Sequence, residues 1–233
     1  MNKTTKFKAL STGKADANAD IGLINRYTIR ELKPEDVYCF SVVLCDNEVD
    51  RDNERFPRKS LDKLAQLFVG KTGIFDHEWS ASGQVARLYH AEVEETSEKN
   101  SLGEPYAVLR GCAYMLRSDG TAPIVDAIDG GILKELSIGF RTQSLNCSIC
   151  GNPLNGWLSK CENGHLKGEF YDGKPCIGEM TEPTEAYEFS FVAVPAQRRA
   201  GVTKELSGAQ SEERLARAKI LAENIKYLGG TNT

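Results

Sequence analysis

Between Cys147 and Cys176 the chain reads CSICGNPLNGWLSKCENGHLKGEFYDGKPC, that is C-x2-C, ten residues, C-x3-H, ten residues and a last Cys. A stretch this short and polar cannot bury enough apolar surface to fold by itself, so a bound ion would have to stand in for a core. Two thiolates separated by two residues grip one face of a tetrahedral ion, Gly151 behind them permits the tight turn, and a second pair downstream closes the site. The reading is a structural zinc site drawn from Cys147, Cys150, Cys161, His165 and Cys176, five candidates for four places. Free thiols or a disulfide are the alternative. Against them, the seven cysteines are odd in number and four crowd into this segment, while Cys39, Cys45 and Cys112 lie in apolar, strand-like surroundings.

The cluster lies between two strand candidates, LKELSIGFRT (133–142) and AYEFSFVAVPA (186–196), and so reads as an insertion between core strands. Upstream, VYCFSVVLC (37–45) is β-branched, aromatic and nearly continuous in apolar character, which suits a strand covered on both faces. In RKSLDKLAQLFVG, Leu61, Leu64 and Phe68 fall at helical spacing, with Ser60 as the expected cap and Gly70 as the stop. QVARLYHAEVEE predicts a strand with an irregularity near its middle, YAVLRGCAYML another strand, and TAPIVDAIDGG a helix ended by paired glycines. The expected organisation is a flexible polar arm over 1–25 and one domain over 26–202 carrying the zinc insertion at 145–180. A linker and C-terminal helix follow over 203–233.

With 233 residues, 40% hydrophobic and 27% charged, the chain suits one domain with a sizeable core and smaller appendages. Its net charge of -4, with bases interspersed among acids, lacks the basic stripe of a nucleic-acid binder. The first twenty residues hold no apolar h-region, and no apolar run approaches the length of a membrane span, so an intracellular protein with no membrane partner is expected. Periodicity alone gives an α+β fold.

Only His77, His90 and His165 are available as a general base. His77 stands in FDHEWSASGQV, a polar turn after an apolar stretch, where an imidazole can be held by a strand end and still meet solvent. Ser137 lies between Leu136 and Ile138 in LKELSIGF, with Gly139 beyond it allowing close approach of a backbone or ligand. Glu188, in YEFSFVAV, is costly to bury unless it accepts hydrogen bonds or pairs with a charge, and a histidine is a suitable partner. Each has a plainer reading: a solvated loop histidine, a serine bonded to a neighbouring carbonyl, and an edge glutamate reaching water.

The DHEW histidine followed by G-x-V, a helix leading into ELSIGF, and then EFSFVAVPA together resemble the prohead maturation serine proteases of tailed phages. These are similar in fold to herpesvirus assemblin. The upstream NEVDRDNERFPRKSLDKL fits the same pattern, and the resemblance runs over about residues 37–201. It implies a mostly antiparallel, barrel-like β core with flanking helices, His77 as general base and Ser137 as nucleophile. The third catalytic member is Glu188, or else His90, since assemblins place a second histidine there. Assemblin-like enzymes also use an arginine at the oxyanion, for which Arg198 and Arg199 are the candidates. The implied activity is cleavage of phage scaffold and major capsid proteins, and of the enzyme itself, inside the assembling procapsid in the host bacterial cytoplasm. No catalytic cofactor is implied, and a homodimer is one expected state. The competing expectation is a catalytically silent capsid-assembly or scaffold-binding protein with the same fold; a metalloenzyme built on the cysteines is a third.

Overall fold

The computed structural model of the chain describes residues 15–155 and 159–203. The apolar run at 37–45 forms strand β1 (Val37–Asp46), eight of whose ten residues are buried. Successive side chains of a strand point to opposite faces, so such a strand needs cover on both. Phe40, Val42 and Leu44 enter the main core, while Val37 and Cys39 pack beneath helix α1 (Ala17–Ile24) through its fully buried Ile24.

Helix α1 corrects the part of the expected arm that follows residue 14; residues 1–14 lie outside the described residues. It is only eight residues long, and a helix that short is not stable by propensity. Its order is tertiary. Asp16 caps it by accepting the amide of Asn18 at 2.8 Å, and buried Asp20 accepts the hydroxyl of Tyr89 at 2.6 Å.

After β1 come β2 (Glu54–Arg55), α2 (Arg58–Phe68), β3 (Thr72–Phe75), β4 (Ala86–Lys99), β5 (Pro105–Leu116), α3 (Ala122–Asp129) and β6 (Leu136–Cys147). The insertion carries a small hairpin of β7 (Phe170–Tyr171) and β8 (Lys174–Pro175), and β9 (Gly178–Phe191) and β10 (Gly201–Val202) follow. Helix α2 buries Leu61, Leu64 and Phe68 as its spacing predicts. Ser60 is not its cap. It lies inside the helix, buried, and donates its hydroxyl to the carbonyl of Met180 at 2.9 Å, tying α2 to β9, while Pro57 occupies the N-cap position.

The architecture is α+β with one mixed sheet in the order β10-β1-β5-β4-β3-β9-β2, and β6 pairs with β9. Pairing is antiparallel except for β2 and β3, which both run parallel to β9. The irregularity expected in β4 is a register shift between Leu88 and His90.

The sheet is not a closed barrel. A closed barrel needs a continuous staggered ladder all the way round, and β10 is two residues long. The approach of β6 to β10 consists of an isolated bridge, Glu135 to Gly201, with the Val202 amide donating to the Lys134 carbonyl at 2.7 Å.

Strand β9 organises the molecule. Along one edge it pairs with β6 from Leu136–Phe191 to Cys147–Gly178, and its other edge takes β2 at its start and β3 at its end. Phe189 and Phe191 are buried in the main core with Leu136, Leu64 and Phe68. Glu188 and Ser190 therefore fall on the opposite face by alternation. The expected linker and helix over 203–233 lie outside the described residues apart from Thr203. Among the described residues no helix is long and apolar enough to cross a membrane.

Candidate active site and metal centre

The turn after β3 places His77. Asp76 and His77 both adopt positive φ (48° and 57°), a left-handed conformation costing of order 1 kcal/mol per non-glycine residue. The turn is held by its amides: Asp76 donates to the Phe191 carbonyl at 3.0 Å, Glu78 to the Phe75 carbonyl at 2.9 Å, and His77 to the hydroxyl of Ser190 at 3.1 Å. The imidazole thereby meets β9, with Nδ1 2.8 Å from Glu188 Oε1.

Glu188 is 2% exposed, a position a carboxylate tolerates only when its oxygens are partnered. Here both are. Oε1 faces the His77 ring, and Oε2 accepts the hydroxyl of Ser190 at 2.7 Å. An ionised Glu188 at Nδ1 selects the tautomer with its proton on Nδ1, leaving the Nε2 lone pair to accept one.

Space for this carboxylate comes from β6. Gly139 pairs with Glu188, and a Cβ built on Gly139 would lie 2.1 Å from Glu188 Oε1. Any side chain there would drive the carboxylate off the histidine. Two residues earlier, Ser137 pairs with Ser190. Residues directly opposite in an antiparallel pair share a face with Cβ atoms about 5 Å apart. Ser137 thus sits beside the serine that holds both Glu188 and the His77 amide. Its hydroxyl makes no hydrogen bond among the described residues, to His77 or to any other group.

His90 is elsewhere, on β4, with Nε2 3.7 Å from Glu92 and no hydrogen-bond partner. The structure brings Glu188, not His90, to His77. Arg199 stacks on Tyr106 at 4.7 Å and pairs with Glu98 at 3.8 Å, while Arg198 is exposed. Two residues at the site went unread in the sequence. Ser190 follows Glu188 by two in E-F-S-F, the spacing that puts both on one strand face, and this alternation was the available signal. Trp79, two residues after His77 and 70% exposed, packs at a tilt of 52° against Tyr187 with ring centroids 5.1 Å apart.

At the far end of the β6–β9 ladder, the cysteine segment converges on one point. Ligand atoms of Cys147, Cys150, Cys161 and His165 all lie within 4.8 Å of one another. Cys150 and Cys161 sulfurs are 3.6 Å apart, and His165 Nδ1 is 3.5 Å from Cys161 Sγ and 3.7 Å from Cys147 Sγ. A tetrahedral ion with metal–sulfur bonds of about 2.3 Å requires ligand separations of about 3.8 Å, so the donor set fits a metal ion. Cys176 Sγ, the fifth candidate, lies 3.5 Å from Cys147 Sγ. Burial opposes ionisation of Cys147, but the amides of Cys150 and Ile149 donate to its sulfur and bring the thiol down to about 7. His165 is steadied edge-on against Tyr171 at 4.5 Å. Comparison with protein-family models, with curated proteins and with solved structures finds no match for this chain.

Proposed function

We propose that the protein is a serine endopeptidase of the kind that matures the proheads of tailed phages, with Ser137 as nucleophile, His77 as general base and Glu188 as the group that orients the base. The observation that carries this reading is the His77 Nδ1–Glu188 contact of 2.8 Å, built on a carboxylate that is buried, held by Ser190 and given room by Gly139. A glutamate with only a packing role needs none of these provisions.

The chemistry is acyl transfer. His77 Nε2 takes the proton of Ser137 as its oxygen attacks a peptide carbonyl carbon, and the carbonyl electrons move onto the oxygen of a tetrahedral intermediate. Collapse breaks the C–N bond, His77 returns the proton to the leaving amine, and an ester to Ser137 remains. Water, deprotonated by His77, releases the acid and restores the hydroxyl. Glu188 stays ionised throughout and stabilises the imidazolium. The family resemblance supplies the substrates, scaffold and major capsid proteins and the enzyme itself, the procapsid as the place, and an assemblin-like arrangement of the core. The metal centre is a zinc site with a structural role, since four protein donors fill a tetrahedral ion and leave no place for water.

One observation favours a second reading, a catalytically silent assembly protein: Ser137 makes no hydrogen bond to His77. Catalytic hydrogen bonds are often long before substrate binds and tighten in the complex. Co-expression of wild type or Ser137→Ala with the phage's own scaffold and capsid proteins, followed by intact-mass analysis, separates the two. Cleavage confined to wild type supports the protease; identical uncleaved masses in both support the silent protein.

A further inference from the structure

The cysteine segment holds one donor more than a tetrahedral ion takes. Cys147, Cys150, Cys161 and His165 bring their ligand atoms within 4.8 Å of one another, and Cys176 stands outside that set. Its buried sulfur nevertheless touches Cys147 Sγ at 3.5 Å. A purely structural zinc site has no use for a spare thiol against one of its ligands.

The four sulfurs fall into two pairs of nearly equal spacing, Cys147 with Cys176 at 3.5 Å and Cys150 with Cys161 at 3.6 Å. A disulfide needs about 2 Å, so each pair closes by a shift of about 1.5 Å, within reach of side-chain rotation. The backbones that carry the sulfurs are held by their own hydrogen bonds. Cys147 donates its amide to the Asn152 carbonyl at 2.8 Å, Cys161 to the His165 carbonyl at 3.0 Å and Cys176 to the Glu169 carbonyl at 2.7 Å. Cys150 is half-buried and the other three cysteines are buried, so an oxidant from solvent meets Cys150 first.

We propose that the metal centre is a redox-releasable site, in which a peroxide converts Cys150–Cys161 and then Cys147–Cys176 into two disulfides and the ion is given up. The inference rests on the cluster holding zinc and is independent of the role of Ser137. The Cys150 sulfur attacks a peroxide oxygen, the O–O bond breaks, and a sulfenic acid and water result. Cys161 attacks that sulfur, the S–O bond breaks, and the departing hydroxide takes a proton to leave as water. With two of its four donors joined to each other, the site no longer holds an ion, and Cys147 is opened to a second peroxide. Cys176 closes the second bridge in the same way and gives up its own proton. Each pair of sulfurs loses two electrons and reduces one peroxide to two waters, with the remaining protons drawn from solvent. Cys176 is thus a resolving thiol, which spares Cys147 the irreversible step to sulfinic acid.

The test treats reduced, full-length protein with hydrogen peroxide and follows zinc with a chromogenic chelator, intact mass, and peptide mapping of residues 147–176 without reduction. Wild type is expected to release about one zinc ion per chain, to map as Cys150–Cys161 and Cys147–Cys176, and to regain its zinc after thiol reductant. Cys176→Ser should purify with zinc like wild type but form only the Cys150–Cys161 bridge, with Cys147 driven to sulfinic acid and zinc not regained. Zinc retained through peroxide, or bridges between other partners, would overturn the switch and leave a structural zinc site standing. Cys176→Ser that folds without zinc would make Cys176 a ligand and overturn its role as resolving thiol. Should that variant not fold, the wild-type bridges alone decide. Wild type that carries no zinc would overturn both the zinc reading and the switch.

Discussion

At the scale of single residues, the site depends on an absent side chain as much as on those present. Gly139 has no side chain, and the Glu188 carboxylate occupies the space a Cβ would take. Gly139→Ala should therefore displace the carboxylate from His77 while leaving the core residues of β6 in place. A loss of about a hundredfold in cleavage rate is expected with little change in melting temperature, since small misplacements of a catalytic group cost that much. Glu188→Gln should cost about ten-thousandfold by disturbing the tautomer and charge at Nδ1, checked by kcat/KM on a peptide substrate. Ser137 and Glu188 were legible as candidates because each is a polar residue in an apolar strand pattern, and His77 because histidine is scarce and its polar turn follows a strand. Their mutual geometry was not, since it depends on the pairing of Ser137 with Ser190 and Gly139 with Glu188 across some fifty residues, and on a left-handed turn at Asp76 and His77 that has no glycine to announce it.

At the scale of elements, strand β2 is two residues long, and ion pairing anchors it. The Arg55 guanidinium is nearly buried between Glu104 in the β4–β5 turn and Glu179 at the start of β9. The Arg55 hydrogen bonds hold the Glu104 carboxyl below its usual range. A depressed carboxyl contributes stability that is full above its unfolded value and lost as pH falls through its folded value. Denaturant melts of Glu104→Gln should thus show a deficit of about 1 kcal/mol at neutral pH, allowing for the carboxylate's partial exposure, that shrinks in acid. The insertion behaves differently. On the proposed zinc reading, protein as purified should carry about one zinc ion per chain, and chelation or Cys150→Ser should lose it and speed hydrogen exchange between Cys147 and Cys176. Because the ladder between β6 and β9 spans the distance to Ser137, cleavage should stay within about threefold, as expected for well-separated sites. Immediate loss of all activity would instead favour a metalloenzyme. The ligand spacing was readable from sequence. Helix α1 was not, because its stability comes from contacts with β1 and β4 rather than from its own pattern.

For the whole molecule, the path of the chain accounts for the site. Strands β3, β6 and β9 come from three separate stretches of sequence, yet they lie side by side because β9 accepts β3 in parallel on one edge and β6 antiparallel on the other. The alternation of β9 then sends Phe189 and Phe191 into the core and Glu188 and Ser190 to the other face, so one strand holds the fold and presents the polar group. The α+β class followed from element periodicity. The order of strands and the incomplete pairing between β6 and β10 did not, since long-range pairings leave no mark in local sequence. The central claim is that Ser137 is a nucleophile activated by His77 and Glu188, and its most direct measurement is peptide mapping of the fluorophosphonate adduct on wild type, His77→Ala and Glu188→Gln. The account predicts one adduct on Ser137 in wild type and labelling slowed by orders of magnitude in both variants; equal labelling in all three, or none on Ser137, would contradict it.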